Sequence, residues 1–293
     1  MRYQNGSAFR RALEERLNNI HAQSGTPILR LRKLIAFDRF IARLMTIDPD
    51  CWVLKGGLLV QIYMGEQSRT TKDIDFLSMH KSNDLHKILI QAGNTILNDW
   101  FSYEVSRPSI DQSDSLGGIR FNVIAFLDTR VFEQFHLDVN TSDKLVQPVD
   151  VLSLPNLLEF AELSTTRVRC YSITQQIAEK IHSLTREYRS GGVSRVKDFI
   201  DILLLAGTRR INMLEFRHAI QITFKTRNTH EVPTSTPQID KAFFKNYTKL
   251  AKEVNLLQQT PMEGNKAIDR FLSPALSSKS YSYWEPKSWS WHQ

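Results

Sequence analysis

Cysteine is nearly absent: Cys51 and Cys170 are the only two in 293 residues, and neither lies in a CxxC pair or beside a histidine in the chain. That excludes a disulfide scaffold and a cysteine-rich zinc site. Long apolar runs are missing too, none approaching the roughly 20 residues that a bilayer-spanning helix needs. The opening stretch MRYQNGSAFRRALEERL has no apolar signal core. No membrane association and a reducing, cytoplasmic setting are therefore expected. Repeats at solenoid periods and low-complexity tracts are also lacking. With 41% hydrophobic and 24% charged residues the chain has the composition of a folded protein. Positive charge is in excess, 38 Lys and Arg against 31 Asp and Glu, for a net +7. Such a balance suits a polyanionic partner, a nucleic acid or a nucleotide.

Residues 8–46 read as helical, broken by Gly25-Thr26-Pro27. Cys51–Leu54 is a short apolar run of strand length, stopped by Gly56-Gly57, and Leu58–Met64 offers about two helical turns. Asp73–Leu77 reads as a second strand. Asn83–Trp100 has helical spacing at Leu85, Ile88, Leu89, Ala92 and Ile96, with Asn83 as its cap. Three strand-like runs follow, Phe101–Ser106, Ile119–Leu127 and Phe132–Asn140. The remainder is mostly helical: a helix opened by the capping-box pattern Ser172–Gln175 and closed by Ser190-Gly191-Gly192, then Val196–Ala206, Met213–Lys225, Asp240–Val254 and Met262–Leu272. This order predicts an α+β fold, with an N-terminal portion 1–150 carrying the sheet and a mainly helical portion 151–293. Trp284, Trp289 and Trp291 crowd the tail, where they are expected to clamp it onto the body.

Residues i and i+2 of a strand share a face, so Asp73 and Asp75 lie roughly 7 Å apart at Cα while Ile74 and Phe76 turn to the core. Two such carboxylates repel unless a cation sits between them, and hard divalent ions such as Mg²⁺ favour these oxygen ligands. An isolated DxD ordinarily means two solvated aspartates. Here it follows Lys55-Gly56-Gly57, which lies between a predicted strand and a predicted helix. There glycine permits close backbone approach and free N–H groups face phosphate oxygens. In Phe135–Asn140, apolar residues alternate with His136, Asp138 and Asn140, so Asp138 points off a polar face. If this strand lies beside the Asp73–Asp75 strand, three carboxylates converge, which suits one or two ions clamping a phosphoryl displacement.

The motifs KGG and RTTKDID, with a lone Asp in a later strand, resemble the nucleotidyltransferase (DNA polymerase β-like) superfamily. They resemble more closely its AbiEii/MenA group, the toxin halves of bacterial toxin–antitoxin and phage-defence pairs. Fifteen residues separate Gly57 from Asp73, and Arg69, Thr71, Asp73 and Asp75 match that group's R-x-T-x-D-x-D. Lys180, and Asp198 and Asp201 within Arg195–Asp201, are similar to its later Lys and Lys-Asp motifs. The resemblance implies a nucleotidyltransferase-like core and transfer of a nucleoside monophosphate from an NTP to RNA, with the tRNA 3′ end the leading acceptor. Asp73, Asp75 and Asp138 would bind Mg²⁺, with Asp138 completing the site or acting as base. Lys55, Gly56, Gly57 and Thr71 would contact the nucleotide. Lys180 would stabilise charge on the triphosphate, Asp198 would support it, and Arg69 would hold the γ-phosphate or anchor its loop. Lys225, Arg227, Lys241, Lys245, Lys249 and Lys252 could line an RNA groove. An antitoxin partner is expected. Two alternatives stand beside this reading: a small-molecule or protein acceptor, and a nucleotide-binding module without turnover.

Overall fold

The computed structural model describes residues 3–106, 118–186, 193–277 and 280–293. Two compact units emerge, Met1–Ile62 with Thr70–Ser142 and Val151–Cys170, and Tyr63–Arg69 with Asp143–Asp150 and Tyr171–Gln293.

The first unit opens with α1 (Gly6–Ser24) and α2 (Ile28–Ile47). Gly25 closes α1 in the left-handed conformation at φ 72°, and Pro27, which has no N–H to lose, precedes α2. Then come β1 (Trp52–Lys55), α3 (Gly56–Met64), β2 (Asp73–Ser78), α4 (Leu85–Asn94), β3 (Phe101–Val105), β4 (Gly118–Leu127), β5 (Arg130–Asn140), β6 (Asp150–Ser153) and β7 (Arg167–Cys170). One seven-stranded sheet has the order β3-β4-β5-β2-β1-β7-β6. β2 runs parallel to β5 and β1 to β7, whereas β1–β2, β3–β4 and β4–β5 are antiparallel. The expected α+β class with a mixed sheet is thus observed, with β6 and β7 as strands that the periodicity did not announce. β7 pairs with β1, and Val151–Cys170 belongs to the first unit, while Asp143–Asp150 belongs to the second.

Burial of α2 anchors this unit. Phe37 and Phe40 meet Phe135 of β5 edge-on, with centroids 5.0 and 5.9 Å apart. Beside them Arg39 and Arg43 converge on the buried Asp99 at 2.7–2.9 Å, and Arg43 also donates to the Phe101 carbonyl. Burial alone would raise the Asp99 carboxyl, but Arg43 and Arg39 outweigh it and hold the group below its ordinary range. This cluster explains why the helix expected over Asn83–Trp100 is shorter. It starts after Asp84, which displaces Asn83 as the cap. It stops at Asn94; Asn98 and Trp100 take positive φ, and Ile96 is exposed. The chain leaves the helix to deliver Asp99 to the two arginines.

The second unit contains α5 (Ile173–Thr185), α6 (Val193–Ala206), β8 (Ile211–Asn212), α7 (Met213–Arg227), α8 (Phe244–Glu253), α9 (Pro261–Leu276), β9 (Tyr283–Glu285) and β10 (Ser290–His292). Ser172 caps α5 by accepting from Gln175 N. The Gln175 side chain does not return the bond; it serves Lys144 and Val146 instead. The stop expected at Ser190-Gly191-Gly192 lies outside the described residues. α8 begins later than the Asp240 start expected from spacing, because a 3₁₀ turn at Lys241–Phe243 precedes it. The tail folds as a hairpin in a small sheet of order β10-β9-β8. The indole N–H groups of Trp284, Trp289 and Trp291 donate to the carbonyls of Ala206, Ala267 and Phe271. The tryptophans therefore do clamp the tail, onto α6 and α9.

Candidate active site

Strand register assembles the acidic face. In the parallel β2–β5 pair Asp75 lies directly opposite Asp138, and Asp73 opposite His136. On the other edge of β5, Arg120 of β4 faces Asp138 and Asn122 faces His136. Lys55 of β1 faces Asp75. Directly opposed residues share a face of the sheet, so one row across four strands reads Arg120, Asp138, Asp75, Lys55, cation–anion–anion–cation. A second row holds Asn122, His136 and Asp73. Ile74, Phe76, Leu137 and Val139 between them are buried, which fixes the register: a one-residue slip would bury the carboxylates.

Asp138 is gripped by Arg120 through two hydrogen bonds of 2.7 and 2.6 Å. The bond to Asp138, with the fields of Asp73 and Asp75 behind it, raises the Arg120 guanidinium above its usual range. His136 Nδ1 lies 2.7 Å from the Asn122 side-chain oxygen. Arg120 is the residue that sequence reasoning missed. Its signal lies in β4, where Arg120 and Asn122 alternate with buried Phe121 and Val123, but only the β4–β5 pairing turns that alternation toward Asp138.

Gly56 joins this face for a reason its neighbours supply. Its φ is +72°, and a Cβ built there would lie 2.7 Å from Asp75 Cβ and nearer still to the carboxylate. The glycine makes room for Asp75 at the turn from β1 into α3, whose first residues are Gly56 and Gly57. Gly56→Ala combines left-handed strain with that overlap. It is expected to push Asp75 from its row and lower catalytic activity at least tenfold while the circular dichroism stays native. Wild-type turnover by this variant would refute the steric coupling. Thr71 is buried, and its hydroxyl donates to the Asp73 carbonyl, so it secures the entry to β2.

The donors Asp73, Asp75 and Asp138 are all carboxylates, chemistry that fits a hard divalent ion. The set is open rather than closed. Among the described residues, the group of three potential ligands with donor atoms all within 4.8 Å of one another is a different one, Asp48, Cys51 and His80.

The sequence profile described as "Nucleotidyl transferase AbiEii toxin, Type IV TA system" matches residues 39–274, most of the chain. The protein belongs to the AbiEii toxin family. This AbiEii protein is therefore a nucleotidyltransferase of a toxin–antitoxin system, with an NTP as substrate and an antitoxin as its counterpart. No curated protein matches it. Two solved structures are similar: JHP933 from Helicobacter pylori, at 16% identity and TM-score 0.45 over 83% of this chain and 90% of that one, and a candidate nucleotidyltransferase from H. pylori, at 15% and 0.46 over 83% and 93%.

The second unit gathers the later motifs of this AbiEii protein. Lys180 of α5 donates to Asp198 at 2.7 Å and lies 3.0 Å from Asp201, both on α6. Ser183 donates to the other Asp198 oxygen at 2.7 Å. Burial alone would lower the Lys180 ammonium, but Asp198 and Asp201 overcome it and raise it. Arg69 makes a two-pronged pair with Asp201 at 3.1 and 2.9 Å, which fixes the loop that carries it and supports the anchor role of the two considered. Asp201, fully buried, is the hub of this cluster. Of the basic residues suggested for a groove, Arg227 is removed from that role: it pairs with Asp143 and Glu179, each at 2.8 Å. Lys225, Lys241, Lys245, Lys249 and Lys252 are exposed. A cavity of about 280 Å³ in this unit is lined by Asp150, Ser172, Thr174, Arg209, Asn212 and His218 among others. None of the catalytic, nucleotide-binding or metal-binding candidates named from the sequence lines it. Among the described residues no helix is long and apolar enough to cross a membrane.

Proposed function

We propose that the protein transfers a nucleoside monophosphate from an NTP to the 3′ end of an RNA, foremost tRNA, in a Mg²⁺-dependent reaction, and that this is its toxic activity in the cytoplasm and in phage defence. The observation that carries the reading is the Asp75–Asp138 register, with Asp73 on the same face and the Gly56-Gly57 turn at its edge. Asp73, Asp75 and Asp138 would hold the metal. When bound, the ion supplies charge neutralisation and orientation for in-line displacement at the α-phosphorus.

The chain's own residues carry the rest. N–H groups at the start of α3 donate to phosphate oxygens, and Lys55 adds positive charge beside Asp75. Asp138 also has the chemistry of a general base for the 3′ hydroxyl. That role requires Arg120 to yield one of its two hydrogen bonds. Lys180 neutralises phosphate charge, with Asp198 and Asp201 fixing its ammonium. Arg69 anchors its loop. Exposed lysines 245, 249 and 252, spaced four and three apart along α8, give an RNA backbone a cationic track.

The test is incubation of the protein with each labelled NTP, Mg²⁺ and bulk tRNA. RNA extended at its 3′ end and pyrophosphate released in equal amount are expected. Label transferred instead to protein or to a small molecule would replace the RNA reading. Calorimetric NTP binding with no product under any acceptor would replace the catalytic one.

A further inference from the structure

We propose that Asp48, Cys51 and His80 form a second metal site, for zinc or a comparably borderline-soft divalent cation, distinct from the acidic face. The three donors come from separate points of the first unit. Asp48 is the C-cap of α2, Cys51 lies in the turn before β1, and His80 follows β2. One ligand atom from each lies within 4.8 Å of the other two, and all three residues are half-buried.

Backbone contacts hold the donors on one frame. Cys51 N donates to the Asp48 carbonyl at 3.4 Å, and Met79 N donates to the Cys51 carbonyl at 2.9 Å. Trp52, opposite Ser78 in the β1–β2 ladder, packs its ring 5.5 Å from the His80 imidazole. A second observation points to a ligand. His80 Nε2 is shielded from solvent and makes no hydrogen bond, although the Asp48 carboxylate stands 3.5 Å away. A shielded ring nitrogen that makes no hydrogen bond is costly unless something else satisfies it.

The donor chemistry selects the cation. Sulfur, imidazole nitrogen and carboxylate oxygen together suit Zn²⁺, whereas Mg²⁺ takes oxygen almost alone. Ligand bonds of about 2.0–2.3 Å place tetrahedral donors roughly 3.4–3.7 Å apart, so about an ångström of closure completes the shell, with water in the fourth position. On binding, the Cys51 thiol gives its proton to buffer as the metal–sulfur bond forms. Cys51 and Gly56 sit at opposite ends of β1, roughly 16 Å apart at about 3.3 Å per residue. The ion is thus too far away to take part in phosphoryl transfer. Its role is to tie the end of α2 to one end of the β1–β2 pair, leaving the hard ion to the carboxylates.

Full-length protein freed of metal with a chelator and titrated with Zn²⁺ against a chromophoric competitor tests the site. One equivalent is expected, with affinity at least tenfold weaker in Cys51→Ser, His80→Ala and Asp48→Asn. Asp48 is exposed enough for its variant to keep the fold. Co²⁺ is expected to give thiolate-to-cobalt charge-transfer absorption that Cys51→Ser abolishes. Zinc is expected to raise the melting temperature of the wild type and not of the variants. Asp75→Asn is expected to bind zinc normally, whatever becomes of its activity. Unchanged zinc binding in Cys51→Ser and His80→Ala, binding lost only in Asp75→Asn, or no equivalent bound by the wild type overturns the proposal.

Discussion

Asp75→Ala is expected to lower single-turnover nucleotidyl transfer by about a thousandfold or more, with little change in melting temperature. A factor of this size is about 4 kcal/mol of transition-state stabilisation, the scale of losing a metal ligand in phosphoryl transfer. Asp75 is the member of the acidic face with the most neighbours committed to it: Asp138 on one side, Lys55 on the other, Gly56 cleared for its carboxylate. It lies within β2 between Ile74 and Phe76, both buried, while its own side chain is on the half-buried opposite face, so removing the carboxylate leaves the core intact. Asp75→Asn, nearly identical in shape, separates charge from packing and is expected to lose almost as much. The loss belongs in kcat, because a metal ligand acts on the developing charge more than on ground-state binding. A variant retaining a tenth of wild-type activity would remove Asp75 from the site.

For Asp201→Ala the expected effect is on the fold: about 3–5 kcal/mol of stability at neutral pH, read by urea denaturation. Asp201 is fully buried between Arg69 and Lys180, and its removal withdraws a shared counter-ion from two cations. The pH dependence separates this electrostatic loss from lost packing. Burial would raise the Asp201 carboxyl, but Lys180 and Arg69 prevail and hold it below its ordinary value. A group depressed in the folded state contributes fully above its unfolded pKa of about 3.9 and loses that contribution as pH falls through the folded value. The gap between wild type and Asp201→Ala is therefore expected to be constant from about pH 5 upward and to narrow below about pH 4. A gap that persists unchanged into acid would assign the loss to packing alone.

How far the chain could be read depended on the range of the interactions. Local signals were legible: the Gly25-Thr26-Pro27 break, the strand Asp73–Leu77, the alternation in Phe135–Asn140, and the Ser172 cap are written in neighbouring residues. The family motifs placed Lys180 and Asp198 together before any geometry was known. Short or conditional elements were not legible. β6 and β7 have four residues each, too few for a period, and exist because an edge of the sheet is there to receive them. The overextended reading of α4 trusted Ile96, whose helical spacing is real but whose side chain faces water; the demand of Arg39 and Arg43 for Asp99 decided the outcome. Arg120, and the role of Asp201 as a hub, were hidden for a related reason. Each owes its role to a partner far off in the chain, Asp138 at 18 residues and Arg69 at 132.

The distribution of indoles makes this chain its own reporter. Trp52 and Trp100 belong to the first unit, and the three tryptophans of the terminal hairpin belong to the second. Emission is therefore weighted toward the hairpin's environment, whereas far-ultraviolet circular dichroism weights all helices alike. If the units lose structure at different denaturant concentrations, the two optical transitions will separate without any label, and coincident curves will mean that the units melt as one.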